Sequence, residues 1–216
     1  MSLLRKKLVS VKTLKPAYSL GKGDWLELER IEFKDDRNIQ RSWERCIRKK
    51  SQTSKIDAVD IHAIILTPEP ELLLSHAALC RPAIECYCIE FPSGLVDAND
   101  DDPITSAQRE LKEETGYTVP KEKITLVNSP LPYEPGLTDS CCYVVKTVID
   151  AKDILSSSVI PEPEADEWSL QTLSLPLKGL LEYLLELEKS NEGQLMIDSR
   201  VYSLASGLAY SSEFYK

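Results

Sequence analysis

Three carboxylates, close together in the sequence and next to an arginine, have the types and spacing needed to bind a metal ion. The stretch RELKEETG, residues 109–116, places Glu110, Glu113 and Glu114 on about one turn of a predicted helix, next to Arg109. Like charges three or four residues apart on a helix repel by roughly 0.2–0.5 kcal/mol per pair. A bound divalent cation would offset this repulsion, whereas the alternative is an acidic helix face that is simply solvated.

The helix that carries these carboxylates has clear ends in the sequence. Asp102 is suited to cap its N-terminus, and Pro103 is suited to the first helical position, where a missing N–H has no consequence. Gly116 is suited to the left-handed position after the last turn. We therefore predict a helix over 103–115, whose core-facing residues are Ile104, Ala107 and Leu111.

Alternating apolar residues and turn residues predict strands on both sides of this helix. The runs DWLELERIEF and IQRSWERCIR flank a polar turn and predict an N-terminal hairpin. Further predicted strands are DAVDIHAIILT, ELLLSHAALC, CYCIEF, KITLVN, SCCYVVKTVI and EWSLQTLSL, followed by helices in LKGLLEYLLELEK and SRVYSLASGLAY. This order predicts an α/β sandwich with a mixed sheet. We expect an N-terminal β region over 1–54 and a main domain over 55–216.

Composition and charge narrow the choice of partners. The chain has 216 residues and a net charge of -9, which argues against a general nucleic-acid surface or an anionic membrane surface as partner. No apolar run is long enough to cross a membrane. None of the six cysteines forms a C-x-x-C pair, so we expect free thiols, a reducing compartment and a cytoplasmic location, with the nucleus as the alternative.

The stretch GLVDANDDDPITSAQRELKEETGY, starting at Gly94, resembles the Nudix box G-x5-E-x7-R-E-U-x-E-E-x-G-U, in which U is bulky and apolar. One additional residue lies between Gly94 and Arg109, and Asp101 is matched to the first acid of the box. The stretches EFPSGLVD, YEPGLTDS and SRVYSLA resemble the ADP-sugar pyrophosphatase branch of that family, the ADP-ribose hydrolases. The resemblance implies a Nudix α/β/α sandwich and an N-terminal antiparallel hairpin or small sheet used in dimerisation.

Carboxylates at this spacing suit Mg²⁺, with Mn²⁺ as the alternative, because these hard ions prefer oxygen ligands. The predicted metal ligands are Glu110, Glu113 and Glu114, and the resemblance adds the carbonyl oxygen of Ser93. Arg109, four residues before Glu113, is expected to hold a carboxylate in place.

The resemblance also implies residues that act on the diphosphate. It places Arg81 on the substrate's phosphates, a task that suits a planar and permanently charged guanidinium. The general base is expected from the loop PEPEADEW, and Glu167 is the residue of that loop that matches the pattern.

A third set of residues is expected to bind the rest of a nucleotide sugar. Trp25 and Trp43 match aromatic residues that sandwich adenine, each from a different subunit of a homodimer with shared active sites; their alternative role is core packing of the hairpin. Glu44 and Arg48 match residues that contact adenine or phosphate. Glu134 matches an acid near the terminal ribose, and its alternative role is that of a turn carboxylate.

Together these matches imply Mg²⁺-dependent hydrolysis of ADP-ribose to AMP and ribose 5-phosphate. The alternatives are a Nudix hydrolase acting on another ADP-sugar or nucleoside diphosphate derivative, and a nucleotide-binding protein that has lost turnover.

Overall fold

The computed structural model describes residues 12–48, 56–97, 99–100, 102–127, 129–154, 159–162 and 170–214. They divide into two compact units. The first contains the described residues up to Arg48 together with Pro132–Cys141, and the second contains those of Ile56–Leu131 and those from Cys142 onward. The sequence-based boundary at residues 54 and 55 did not anticipate that a segment from the middle of the chain joins the N-terminal strands.

The secondary structure elements follow one another in a mixed order. The strands are β1 (Lys12–Thr13), β2 (Tyr18–Lys22), β3 (Leu26–Lys34), β4 (Gln40–Arg48), β5 (Ala58–Leu66), β6 (Glu71–Arg81), β7 (Cys86–Glu90), β8 (Ser93–Leu95), β9 (Thr125–Leu126), β10 (Leu131–Pro132), β11 (Cys141–Asp150), β12 (Leu170–Pro176) and β13 (Leu195–Ile197). The helices are α1 (Pro103–Thr115), α2 (Ala151–Ile154), α3 (Leu180–Ser190) and α4 (Ser199–Phe214), with a 3-10 turn at Lys121–Lys123.

The first unit is an antiparallel sheet centred on β3. Strand β4 pairs along one edge of β3, and β1 and β2 pair along the other edge. The turn between β3 and β4 is held by Asp35, whose side chain accepts the main-chain N–H groups of Arg37 and Ile39 at 2.9 Å. The predicted hairpin is therefore confirmed, and two short strands that the sequence did not predict extend it into a small sheet.

The second unit is built on a mixed sheet with the strand order β11-β5-β6-β7-β13. Two neighbouring pairs, β11 with β5 and β7 with β13, are parallel, and the remaining pairs on this path are antiparallel. Strand β8 pairs with β5, β9 with β11 and β12 with β6, all antiparallel. The predicted mixed sheet is confirmed.

Helices cover both faces of this sheet. On one face, alternate residues of β5 pack with Ala107 and Leu111 of α1 in a buried cluster. On the other face, a second cluster joins β6 and β7 to α3 and α4; its members include Leu72, Leu74, Ile89, Phe91, Leu180, Leu184, Val201 and Ala205. The second unit is thus an α/β/α sandwich, as predicted, because each strand alternates its apolar side chains between two helical layers.

Five cysteines are free thiols, as expected: they are Cys46, Cys86, Cys88, Cys141 and Cys142. Within the described part of the chain, none of the helices combines the length and the apolar character needed to cross a membrane.

Candidate active site

Helix α1 begins and ends where its sequence predicts. The Asp102 carboxylate accepts the main-chain N–H of Thr105 at 2.8 Å, which caps the N-terminus. Gly116 has a φ of 77° and its N–H donates to the carbonyl of Lys112 at 2.8 Å. Because the helix is regular between these ends, Glu110, Glu113 and Glu114 occupy adjacent positions over one turn.

Two of these carboxylates, those of Glu110 and Glu114, are buried next to β8. Glu110 is 7% exposed and Glu114 is 4% exposed. One carboxylate oxygen of Glu114, Oε2, accepts the main-chain N–H of Ser93 at 3.2 Å. A Cβ atom added to Gly94 would lie only 1.9 Å from Cδ of Glu110. The glycine therefore leaves the space that the Glu110 carboxylate fills against the main chain.

Arg109 links the helix face to the preceding loop. Its Nη1 donates to Glu110 Oε1 at 2.8 Å and to Glu113 Oε2 at 2.9 Å. Its Nη2 donates to the carbonyl of Leu95 at 3.0 Å and to Asp100 Oδ2 at 3.1 Å. Burial alone would lower the pKa of Arg109, but the Asp100 hydrogen bond and the charge of Glu110 outweigh it and raise that pKa. The guanidinium is thus permanently charged and fixed among three carboxylates.

The acid that pairs with Arg109 was not identified from the sequence. Asp101, which was matched to the first acid of the box, lies outside the described residues, whereas Asp100 is the described carboxylate that accepts from Arg109. The Asp100 side chain is 7% exposed. The signal was present, because five residues separate Gly94 from Asp100, as in the G-x5-E part of the pattern. The additional residue of this chain then falls after the acid, directly ahead of α1.

The environment of Asp100 favours its charged form. Desolvation raises the pKa of this carboxyl, but the hydrogen bond from Arg109 acts in the opposite direction and leaves the pKa below its usual value. Asp100 also accepts the main-chain N–H of Asp97 at 3.2 Å. The loop ahead of α1 is therefore folded around an ionised aspartate.

The donor atoms suit a hard divalent ion, since three carboxylates and the nearby Ser93 carbonyl supply only oxygen. Among the described residues, however, no group of three or more His, Cys, Asp or Glu side chains is arranged to hold a metal ion. Glu110 and Glu113 share one nitrogen of Arg109, and Glu114 is bonded to the Ser93 N–H. The chemistry of the donors fits Mg²⁺.

Arg81, the expected diphosphate ligand, is held by a second acid that the sequence analysis did not single out. Its Nε and Nη2 donate to the two carboxylate oxygens of Glu90 at 2.8 and 3.0 Å. These bonds raise the pKa of Arg81. Glu90 therefore orients the Arg81 guanidinium. Because about half of the Arg81 side chain is exposed, the guanidinium is still accessible to an anion.

Both tryptophans of the hairpin lie in the first unit and are exposed, which does not agree with the alternative of core packing. Trp25 is 77% exposed and Trp43 is 51% exposed. The indole N–H of Trp43 donates to the carbonyl of Gly136 at 3.1 Å. The ring of Trp43 is therefore fixed by the segment that joins the N-terminal sheet.

Three further predicted ligands also lie in the first unit. Glu44 accepts from Arg30 at 2.7 Å and is exposed, and Arg48 ends β4 opposite Leu26. The carbonyl of Glu134 accepts two main-chain N–H groups at 3.0 Å in a turn. That geometry suits the alternative of a turn residue, although the side chain of Glu134 is exposed.

The expected general base, Glu167, lies outside the described residues. Glu162, at the start of the same acidic stretch, is described: its main-chain N–H donates to the carbonyl of Glu113 at 2.8 Å, and its carboxylate accepts from Lys112 at 3.0 Å.

This chain is similar to known proteins along most of its length. The NUDIX domain family model matches residues 58–187. An ADP-ribose pyrophosphatase of Saccharomyces cerevisiae is 28% identical over 88% of this chain and 80% of its own length, and an ADP-sugar pyrophosphatase of Mus musculus is 29% identical over 89% and 85%. A crystal structure of an ADP compounds hydrolase has the same fold, with a TM-score of 0.64, 17% identity and 96% of each chain covered. The chain belongs to the Nudix hydrolase family.

Proposed function

We propose that this protein hydrolyses the diphosphate linkage of ADP-ribose, giving AMP and ribose 5-phosphate. The observation that carries the proposal is the convergence of Glu110, Glu113 and Glu114 on one turn of α1 beside Ser93 and Arg109. The names of the yeast and mouse relatives, which match along more than four fifths of this chain, support an ADP-sugar as substrate.

The carboxylates of α1, with the Ser93 carbonyl, are the residues that would hold Mg²⁺, or Mn²⁺ in its place. The ion would supply positive charge against the diphosphate and acidify the attacking water. Arg109 keeps Glu110 and Glu113 oriented through its shared Nη1. Residues that hydrogen-bond to metal ligands commonly fix the orientation of those ligands.

The remaining roles divide between binding and proton transfer. Arg81, whose guanidinium is oriented by Glu90, binds the diphosphate. Water adds to one phosphorus atom and the bridging P–O bond breaks, so the bridging oxygen leaves with the other phosphate. Glu167 accepts the proton of the water as general base.

The spacing of the tryptophans supports a homodimer in which two chains share each adenine site. In the β3–β4 register Ile31 lies opposite Trp43, and Trp25 lies six residues before Ile31. At about 3.3 Å per residue the two tryptophans of one chain are roughly 20 Å apart along the hairpin. This is much longer than the separation of stacked rings, so one adenine between them would require Trp25 and Trp43 from different chains.

In this proposal residues 1–54 serve dimerisation and adenine binding, and residues 55–216 form the hydrolase domain. Glu44 and Arg48 lie on the same strand as Trp43 and would contact adenine or phosphate, and Glu134 would contact the terminal ribose.

The test is an assay of purified protein with ADP-ribose, with and without Mg²⁺, in which AMP is measured by chromatography. We expect Mg²⁺-dependent AMP release and a loss of at least about a hundredfold in kcat for Glu114→Gln, the scale of a removed electrostatic contribution. Glu122→Gln, an exposed acid of the 3-10 turn, is the matched control and should keep its activity. Turnover of another nucleoside diphosphate in preference to ADP-ribose would overturn the substrate, and tight binding without any product would overturn the activity.

A further inference from the structure

The last turn of α1 is bonded to two segments outside the helix. The final carbonyls of a helix have no partner within it and need donors from elsewhere. Here the carbonyl of Glu113 accepts the main-chain N–H of Glu162 at 2.8 Å, and the carbonyl of Glu114 accepts the hydroxyl of Thr172 at 2.9 Å. The two carbonyls that receive these bonds belong to two of the three carboxylate residues of the site.

The segment that carries Glu162 runs directly against the end of the helix. A Cβ atom on Gly116 would lie 2.7 Å from both the main-chain carbon and the main-chain nitrogen of Ile160, so only a glycine permits this approach. Lys112, one turn before Gly116, adds an ion pair to Glu162 at 3.0 Å. Both side chains of that pair are about half exposed or more, so the pair by itself contributes little.

Glu162 and Thr172 lie close in sequence to residues 163–169, which belong to the acidic loop region expected to supply the general base. Glu162 immediately precedes these residues, and Thr172 follows them by three positions. The chain therefore leaves the end of α1 at Glu162 and returns to the same turn at Thr172. Hydrogen bonds on both sides hold this turn against the fraying that is common at helix ends.

We propose that Glu162 and Thr172, here called the C-terminal clamp, are positioning residues that hold Glu113 and Glu114 in register with Ser93. The inference rests on the proposed function for its effect on turnover. A carboxylate displaced by about 1 Å can lower a rate substantially while the substrate still binds. The clamp should therefore control kcat more than KM.

The first experiment removes the Thr172 hydroxyl. Thr172→Val keeps the shape of the side chain, and Thr172→Ser keeps the donor. Thr147→Val is the matched control, because the hydroxyl of Thr147 also donates to a main-chain carbonyl, that of Lys123, at 3.2 Å. We expect Thr172→Val to lower kcat by about tenfold with KM changed less than about twofold. Thr172→Ser should restore most of the rate, and Thr147→Val should leave kcat unchanged.

The second experiment removes the main-chain donor at position 162. Glu162→Ala deletes the carboxylate and keeps the N–H, whereas Glu162→Pro deletes both. This position is exposed and stands between two prolines, so a third proline is compatible with the local chain. We expect Glu162→Pro to lower kcat by about tenfold and Glu162→Ala by less than about threefold, because the exposed ion pair contributes less than the main-chain bond.

Hydrogen–deuterium exchange provides a readout that does not depend on the substrate. Amides at the end of α1, residues 111–116, should exchange faster in Thr172→Val and Glu162→Pro than in wild type and in Thr147→Val. Unchanged exchange there, or a kcat loss in Thr147→Val equal to that in Thr172→Val, would overturn the clamp. Wild-type protein inactive on ADP-ribose would overturn the substrate proposal alone, because the exchange measurement would still decide on the clamp.

Discussion

At the scale of single residues, the site is organised by Arg109. Its guanidinium bonds Glu110, Glu113, Asp100 and the Leu95 carbonyl. The sequence predicted that this arginine holds a carboxylate, because the four-residue spacing to Glu113 is fixed by the helix. It did not predict Asp100, because the spacing from Gly94 and the spacing to Arg109 select different acids of this loop, Asp100 and Asp101. Local periodicity therefore predicts contacts within a helix better than contacts to it.

Replacing Asp100 should destabilise the protein in a pH-dependent way. The pKa of Asp100 is lowered in the folded protein, so its stabilising contribution is present above the ordinary carboxyl pKa of about 3.9 and is lost as pH falls through the lowered value. We expect Asp100→Asn to lower the free energy of unfolding by about 1–3 kcal/mol at pH 7. The difference in free energy of unfolding between Asp100→Asn and wild type should shrink below about pH 4. Urea unfolding at several pH values measures this.

Asp97→Asn is the control for that prediction. The Asp97 carboxylate lies 3.7 Å from Arg109 and is mostly exposed, so its replacement should change the free energy of unfolding by less than about 0.5 kcal/mol. An equal effect of the two substitutions would contradict the assignment of Asp100 as the main anchor of Arg109.

Gly94→Ala should reduce turnover by moving one carboxylate. The added Cβ would meet Cδ and both carboxylate oxygens of Glu110, which is the movable end of a side chain, so the main chain can stay in place while the carboxylate is displaced. We expect kcat to fall by at least about tenfold and stability to fall by about 1–3 kcal/mol. Gly207→Ala in α4, where a Cβ meets nothing within 4 Å, should leave kcat unchanged. Full turnover in Gly94→Ala would show that the Glu110 carboxylate is not needed at its observed position.

At the scale of secondary structure, the elements predicted from the sequence are those with strong local signals. Helix α1 has Asp102, Pro103 and Gly116 at its ends, and each acts as its type predicts. The strands that were not predicted, β1, β2, β8, β10 and β13, have two to five residues. Such short strands form because a partner strand supplies hydrogen bonds, and the residues of the short strand do not by themselves identify that partner.

Substituting Gly116 should cost more stability than substituting a glycine of the same conformation elsewhere. Gly193 has a φ of 75° with nothing within 4 Å of an added Cβ, whereas Gly116 has a φ of 77° and lies against the main chain of Ile160. Gly193→Ala therefore measures the cost of positive φ alone, about 1–2 kcal/mol. We expect Gly116→Ala to exceed it by at least about 1 kcal/mol in urea unfolding. Equal losses would mean that Ile160 can move away from the helix end at no cost.

At the scale of the whole molecule, sequence patterns predicted the layers but not the composition of the first unit. The order of the predicted elements was enough to predict a mixed sheet, and the resemblance to the Nudix family implied helices on both of its faces, which the two buried clusters confirm. Pro132–Cys141 joins the N-terminal strands through contacts such as Cys46 N–H to the Leu137 carbonyl at 2.8 Å. These partners are about ninety residues apart in sequence, and such a pairing leaves no periodic signal in either segment.

The proposed sharing of sites makes a prediction about mixed dimers. If the two tryptophans reach one adenine from different chains and Trp43 is the one that reaches the partner's carboxylates, Trp43→Ala damages the partner's site, while Glu114→Gln damages the site of its own chain. A heterodimer of the two variants would then have one intact site and one site with both changes. Two nearly inactive proteins should therefore regain activity on mixing, up to about half the wild-type rate per heterodimer.

The measurement needs both the rate and the composition of the dimers, because activity can return only if subunits exchange. Native mass spectrometry of the mixture follows the heterodimer, and AMP release from ADP-ribose is measured on the same sample. Mixing Trp43→Ala with Trp25→Ala tests sharing itself, whichever chain supplies the carboxylates. If the two tryptophans of a site come from different chains, the heterodimer has one site with both rings and one site with neither. If both tryptophans come from one chain, each site of the heterodimer lacks one ring. Heterodimers that form without any gain in the Trp43→Ala and Glu114→Gln mixture would show that Trp43 serves the site of its own chain, or no site, because the intact combination of Trp43 and Glu114 would then never occur in one catalytic unit.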